Sequence, residues 1–231
     1  MRVLKVTDLG SGAGYAEVLA LQEDLHARRA AGEIPDTLLL LEHRPVYTLG
    51  RSASEENVLL SGEALREAGI ERVVTSRGGD VTYHGPGQLV GYPIVHLGDA
   101  GLRVLDYVAG LEETLIRAAA AYGVGAGRDA RNRGVWVGNS KLAALGIRVA
   151  HQVTMHGFAL NVNTRLDDYR GIVACGLRDA GVTSLSRLLG RSLDMVEVKA
   201  RVAEAFRAVF GYGSESVTAD GSEDRPHESL A

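Results

Sequence analysis

The stretch Arg77–Pro93, RGGDVTYHGPGQLVGYP, sets five glycines, an arginine, a histidine and two tyrosines among residues that otherwise read as strand. Glycine in a sheet loses more backbone entropy than any other residue and offers no side chain to pack. A cluster of this kind therefore points to turns, bulges, or a backbone that something else approaches closely. The strand that follows, QLVGYPIVHL, contains Pro93, which lacks an N–H for the ladder, so the reading is an edge strand or a bulge.

Working outward, apolar periodicity gives alternating strands and helices. On the N-terminal side Arg2 to Thr7 reads as a strand and Tyr15 to Arg29 as an amphipathic helix, with Ala16, Leu19 and Leu25 toward one face. TLLLLEH and VYTLG read as short strands broken at Arg44-Pro45, Glu63 to Ala68 as a short helix, and ERVVTS as a strand. On the C-terminal side Arg103 to Tyr122 is the longest helical pattern. GVWVG, KLAALGIRVA and VTMHGFALNV follow as strands with turn-type separators, which predicts antiparallel pairing. Asp194 with Glu197 three residues on has the form of a capping box for a helix through Phe210. From Ser214 the chain turns polar and acidic, and residues 214–231 read as a disordered tail. The mixed order predicts an α/β (α+β) fold, a mixed β-sheet flanked by helices, with one catalytic domain over 1–213 that ends in a smaller helical part.

Composition narrows the function classes. The chain has 231 residues, 45% hydrophobic and 23% charged, a net charge of -4 and a pI near 6.0. That balance argues against a nucleic-acid binder that neutralises many phosphates. No apolar run approaches the roughly 18 residues of a membrane span, and Met1 opens onto a strand pattern, so a cytoplasmic protein with no membrane segment is expected. The single cysteine, Cys175, excludes an internal disulfide framework and an all-cysteine metal site. Lysine is almost absent: Lys5, Lys141 and Lys199 stand against 22 arginines. Genomic base composition accounts for this bias, yet it draws attention to Lys141 in GNSKLAALG, because lysine among apolar residues can lose its proton and arginine effectively cannot.

The glycine-rich segments are not nucleotide loops. GSGAG at Gly10–Gly14 lacks the G-x-G-x-x-G spacing, and GNSKL lacks the P-loop spacing and the hydroxyl residue after its lysine. His84, His151 and His156 are the metal candidates. HQVTMH would send His151 and His156 to opposite faces of a strand, so no metal site is expected. Cys175 in YRGIVACGLRDAGVTSL is either a small buried hydrophobe or a nucleophile. Gly176 beside it and its place in a loop between strand and helix favour chemistry. A thiol with an ordinary pKa of about 8.5 then needs a cation or a base, which His84, His156 or Lys141 could supply.

RGGDVTYHGPGQLVGYP, GNSKLAALGIRV, MHGFALNVN and IVACGLRDAGVTSL, in this order and at these intervals, together resemble the lipoyl(octanoyl) transferases of lipoate biosynthesis, with LLLEHRPVYTLGR adding support. The resemblance covers nearly the whole chain except the acidic tail. It implies a fold similar to the catalytic domain of biotin and lipoate protein ligases. It also implies transfer of an octanoyl group from octanoyl-acyl carrier protein, without ATP or another cofactor, to the lysine of lipoyl domains of 2-oxoacid dehydrogenases and of the glycine cleavage H protein. The transfer would pass through a thioester on the cysteine that matches Cys175, with the matching lysine Lys141 as its catalytic partner. The segments matching the acyl-contacting ones are Arg77, Gly78, Gly79, Asp80, Val81, Thr82, Tyr83 and His84; Ala144, Leu145 and Gly146; and Gly157, Phe158 and Ala159. Two departures stand out: Ala174 where a proline is expected before the cysteine, and Arg44 where a proline is expected in EHRP.

Two other readings keep the pocket and change the chemistry. An ATP-dependent lipoate or biotin ligase would need ATP and survive Cys175→Ser, whereas a non-catalytic acyl-binding protein would bind octanoyl without transferring it. Arg128, Arg131 and Arg133 read either as a docking patch for acidic partners or as an ordinary solvated surface.

Overall fold

The run DTLLLL is buried at every position, which a strand achieves only when both of its faces are covered. In the computed structural model, which describes residues 2–173 and 180–213, the elements follow in the order β1 (Leu4–Asp8), α1 (Tyr15–Ala30), β2 (Asp36–Leu41), β3 (Val46–Leu49), α2 (Gly62–Glu67), β4 (Glu71–Val74), β5 (Val81–His84) and β6 (Gln88–Ile94). Then come α3 (Val104–Ala120), β7 (Gly134–Val137), β8 (Ser140–Ala150), β9 (Val153–Asn161), β10 (Gly181–Val182), α4 (Leu185–Leu189) and α5 (Met195–Phe210). The expected tail, 214–231, lies outside the described residues.

A larger mixed sheet runs β1-β2-β6-β9-β8-β10, with β7 also paired to β8, and a smaller one runs β4-β3-β5. Side-chain alternation along β2 explains the layers. Leu38 and Leu40 join the main core with Leu111 and Leu115 of α3 and Val202 and Phe206 of α5. Leu39 and Leu41 join Val18, Leu21 and Leu25 of α1 on the opposite face. Each such leucine, wholly out of water, contributes about 1.5–3 kcal/mol of transfer free energy. The C-terminal helix is thus part of the main core: Val198, Val202, Phe206 and Phe210 all lie in it. Asp194 caps α5 by accepting from Val196 N at 2.9 Å, while Glu197 pairs with Arg201 at 2.9 Å. The smaller sheet has its own cluster, Tyr47, Leu49, Val81 and Tyr83 against Tyr169 and Ile172.

The antiparallel order β7–β8–β9 is as the sequence predicts. The reading of Pro93 as marking an edge strand or a bulge is not: β6 is central, paired with β2 in unbroken register on one side and with β9 on the other. The proline is accommodated because the β6–β9 ladder stops at Gly91 and resumes only as a single bridge at His96. In that gap Thr154 Oγ1 donates to the Pro93 carbonyl at 2.6 Å and accepts from Val95 N at 3.0 Å, replacing the missing ladder bonds.

Candidate active site

Where the two sheets meet, a pocket of about 520 Å³, counted out to its mouth, opens between β5 and the β8–β9 pair. Its floor is made of four small residues in two cross-strand pairs, Ala144 with Ala159 and Gly146 with Gly157. The glycines of the opening stretch serve this approach. A Cβ on Gly146 would lie 2.9 Å from the Gly78 carbonyl oxygen and 3.1 Å from Arg77 Cδ, so any larger residue would push the loop away. Gly78 N donates to the Ile147 carbonyl at 2.9 Å and fastens that loop to β8.

One side of the pocket is polar. The Arg77 guanidinium, 7% exposed, donates to Thr48 Oγ1 from Nη2 at 2.9 Å, to the Thr48 carbonyl at 2.5 Å and to the Gly78 carbonyl at 3.0 Å. The His84 ring stacks on Tyr15 at 6.3 Å and tilts against His43 at 5.8 Å. His43 Nε2 meets Tyr92 Oη at 2.8 Å, and Tyr92 faces His156 edge-on at 6.3 Å. Burial dominates the titration of these rings. It pushes His43 down to about 4, and His156 to about 4 with further repulsion from Arg77 and Arg148. It also drives His84 well below the usual imidazole value, with His43 adding to the effect. These imidazoles are therefore neutral at pH 7. His156 has a left-handed backbone, φ 57°, and its Nδ1 is buried without a hydrogen-bond partner among the described residues. Positive φ in a non-glycine residue stores strain of the kind that clusters at functional sites.

Lys141 lies on β8 beside this pocket. Its side chain is buried, its Nζ donates to Asn132 Oδ1 at 2.6 Å and to the Arg133 carbonyl at 3.3 Å, and it sits 4.9 Å from the centre of the Trp136 ring. Asn132 itself lines the pocket. Gly134 makes room for the lysine stem: its φ of 142° favours glycine, and a Cβ there would lie 2.5 Å from the Ala143 carbonyl oxygen and 3.3 Å from Lys141 Cε. Glu112, 1% exposed on α3, braces the same turn by accepting from Gly134 N at 3.1 Å.

Of the acyl-contacting residues expected from the sequence, Arg77, Gly79, Asp80, Val81, Thr82, His84, Ala144, Leu145, Gly146, Gly157, Phe158 and Ala159 line the pocket. Gly78 and Tyr83 do not. Strand alternation turns Tyr83 to the other face of β5, where its hydroxyl donates to Asp168 Oδ2 at 2.7 Å. Cys175 lies outside the described residues. Tyr15, Tyr92 and Asn132 also line the pocket, as does His156, one of the residues the sequence offers as a base for the thiol. Tyr15 and Asn132 come from elements far away in sequence, and nothing local to them signals a site. Among the described residues no group of three histidine, cysteine, aspartate or glutamate side chains could hold a metal ion. His151 falls in the turn before β9 rather than on the strand. Arg128 pairs with Glu112 and Glu113, Arg131 with Asp129, and Arg133 with Glu112.

The model of the lipoyl protein ligase A/B catalytic domain matches residues 14–207. The chain belongs to that family. It is 50% identical over 199 residues to an octanoyltransferase of Caldicellulosiruptor saccharolyticus, covering 85% of each chain. It is 47% identical over 210 residues to one of Alkaliphilus metalliredigens, covering 90% of this chain and 96% of that relative. The resemblance to octanoyl transferases drawn from the sequence is thereby borne out. Among solved structures, a putative lipoate protein ligase of T. acidophilum superposes with a TM-score of 0.71 at 14% identity, covering 95% of this chain and 88% of that one. Biotin protein ligase of Aquifex aeolicus does so with a TM-score of 0.53 at 13% identity, covering 91% and 70%. The expected ligase-like fold is the one observed. Among the described residues no helix is long and apolar enough to cross a membrane.

Proposed function

We propose that the protein transfers an octanoyl group from octanoyl-acyl carrier protein to the lysine of lipoyl domains through a thioester on Cys175, with Lys141 moving the protons. The observation that carries this reading is the slot floored by Ala144, Gly146, Gly157 and Ala159, with Asn132, the acceptor of the Lys141 ammonium, among its lining residues. An aliphatic chain laid on such a floor is bound by burial alone. At about 0.8 kcal/mol per CH₂, the six methylenes of an octanoyl group contribute roughly 5 kcal/mol.

In the first transfer the Cys175 thiolate attacks the carrier thioester, and Lys141 gives a proton to the departing thiol. In the second, the acceptor amine attacks the enzyme thioester, Lys141 takes the amine proton, and Cys175 leaves as thiolate. The thioester keeps the acyl group activated, so no nucleotide is consumed. The octanoyltransferase relatives support an octanoyl group as the cargo, and membership of the lipoyl protein ligase family supports a lipoyl-domain acceptor. We take residues 1–213 as the catalytic unit, because α5 completes the main core. A reducing, cytoplasmic setting suits a chain whose one cysteine must stay a thiol.

The test is an ATP-free incubation of the protein with octanoyl-acyl carrier protein and a lipoyl domain, read by mass. An octanoylated lysine on the lipoyl domain is expected. Octanoylation only when ATP and free octanoate are supplied would replace this reading with that of a ligase.

A further inference from the structure

We propose that Gln88 and Asn161 are positioning residues for the acyl transfer, their side-chain amides joining His84 in the pocket to the backbone strand that is paired with Lys141. This inference rests on the transfer reading above. Both residues are fully or nearly fully buried, Gln88 at 0% and Asn161 at 3% exposure, and they face each other across the β6–β9 ladder.

Backbone carbonyls fix the orientation of both amides. Gln88 Nε2 lies 3.0 Å from the Tyr83 carbonyl, and Asn161 Nδ2 lies 3.0 Å from the Thr183 carbonyl. A carbonyl only accepts, so each of these positions must hold the NH₂ group. Gln88 Oε1 is then an acceptor, and at 2.8 Å it fixes the proton of the neutral His84 ring on Nδ1. His84 Nε2 is left as an acceptor, 3.4 Å from Thr48 Oγ1. Thr48 Oγ1 already accepts from Arg77, so its own proton is available to His84.

The chain therefore runs one way. Arg77 donates to Thr48, Thr48 to His84, His84 to Gln88, Gln88 to Asn161 Oδ1 at 3.0 Å, and Asn161 to the Thr183 carbonyl. Gln88 Nε2 has two hydrogens for three acceptors, the Tyr83 carbonyl, Asn161 Oδ1 and the Tyr169 hydroxyl at 2.9 Å, so one hydrogen is shared, and Tyr169 Oη itself donates to Asn161 Oδ1 at 3.2 Å. Thr183 N in turn donates to the Lys141 carbonyl at 3.0 Å, next to the Val182–Lys141 pair of β10 and β8. Chains with all donors aligned polarise one another and are stiffer than isolated bonds. This one begins at the cation in the pocket and ends at Thr183, whose own N–H holds the Lys141 carbonyl. It also gives His84 a role: both of its nitrogens are occupied in holding this chain, which makes it a link and not the base for a thiol.

The test compares wild type with Asn161→Leu, which removes the join to Thr183, and with Gln88→Glu, which keeps the acceptor for His84 but loses both donors. For both variants kcat for octanoyl transfer should fall about tenfold with KM for the octanoyl donor within about twofold, and a limb of the kcat–pH profile should move. Hydrogen exchange at the Thr183 amide should accelerate about tenfold or more while the β8–β9 amides keep their protection. Unchanged kcat in a variant with faster Thr183 exchange, or kcat and KM altered together on a fixed pH profile, would overturn the proposal. Unchanged exchange at Thr183 in either variant would overturn it as well. A wild type that transfers nothing but shows the exchange contrast would sink the transfer reading and leave the chain itself standing. If Asn161→Leu does not fold, Gln88→Glu carries both measurements.

Discussion

Lowering the pH from 7 to 5 should destabilise the protein markedly, because the imidazoles around the pocket are buried in neutral form. Burial holds His43 and His156 at about 4, against an ordinary value of 6.5. Between those two values the unfolded chain binds protons that the native state refuses, so stability is full above pH 6.5 and is lost as the pH falls toward 4. At pH 5 each ring costs about 2 kcal/mol by this linkage, or roughly 4 kcal/mol for the two. His84, depressed in the same direction, adds to the loss. Carboxylates are mostly ionised at pH 5 in both states, so this window isolates the imidazoles. For a chain of this size the drop corresponds to about 8–16 °C in Tm. The assay is thermal unfolding by circular dichroism from pH 7 to pH 5, for wild type and for His43→Gln and His156→Gln. Each variant should lose about 2 kcal/mol of the pH-dependent part, whatever its stability at pH 7. A wild-type Tm that moves by less than about 3 °C, or variants that keep the full pH dependence, would show that these rings are not held neutral by burial.

Three further substitutions test the geometry. Gly146→Val should weaken octanoyl binding at least about tenfold, measured by calorimetry with an octanoyl thioester analogue, because its side chain would enter the space of the Gly78 carbonyl and Arg77. Ala159→Leu fills the floor of the slot with about three more carbons. It should cost an octanoyl donor roughly 2.4 kcal/mol, about 50-fold, relative to a chain three methylenes shorter, read from kcat/KM across acyl carrier proteins loaded with C4 to C10 chains. Gly134→Ala should lower transfer more than it lowers Tm, since its Cβ would press on the Lys141 stem and on the Ala143 carbonyl; parallel rate and melting measurements decide this.

The helices were legible because their apolar spacing is local: Tyr15–Ala30, Val104–Ala120 and Met195–Phe210 coincide with the sequence pattern to within a few residues. The β7–β8–β9 meander was legible for the same reason, with turns marking each strand end. The division into two sheets was not, since VYTLG and ERVVTS have the same strand character as their neighbours and only the pairing β4-β3-β5 separates them. Pro93 points to an edge or a bulge on local grounds, whereas Thr154 supplies its bonds from within the sheet. Within the site, the matched segments placed most of the pocket lining, but alternation along β5 removed Tyr83, which a contiguous motif cannot reveal. Gln88 and Asn161 escaped notice because their importance lies in partners 73 residues apart.

The most direct test of the account is the intact mass of the protein after incubation with octanoyl-acyl carrier protein alone, followed by addition of a lipoyl domain. The expected result is an octanoyl adduct that maps to Cys175, is absent in Cys175→Ala, forms poorly in Lys141→Ala, and disappears as the lipoyl domain gains the same mass. A folded wild type that passes octanoyl to the lipoyl domain without ever carrying it, or an adduct that persists undiminished in Cys175→Ala, would rule out the Cys175 thioester.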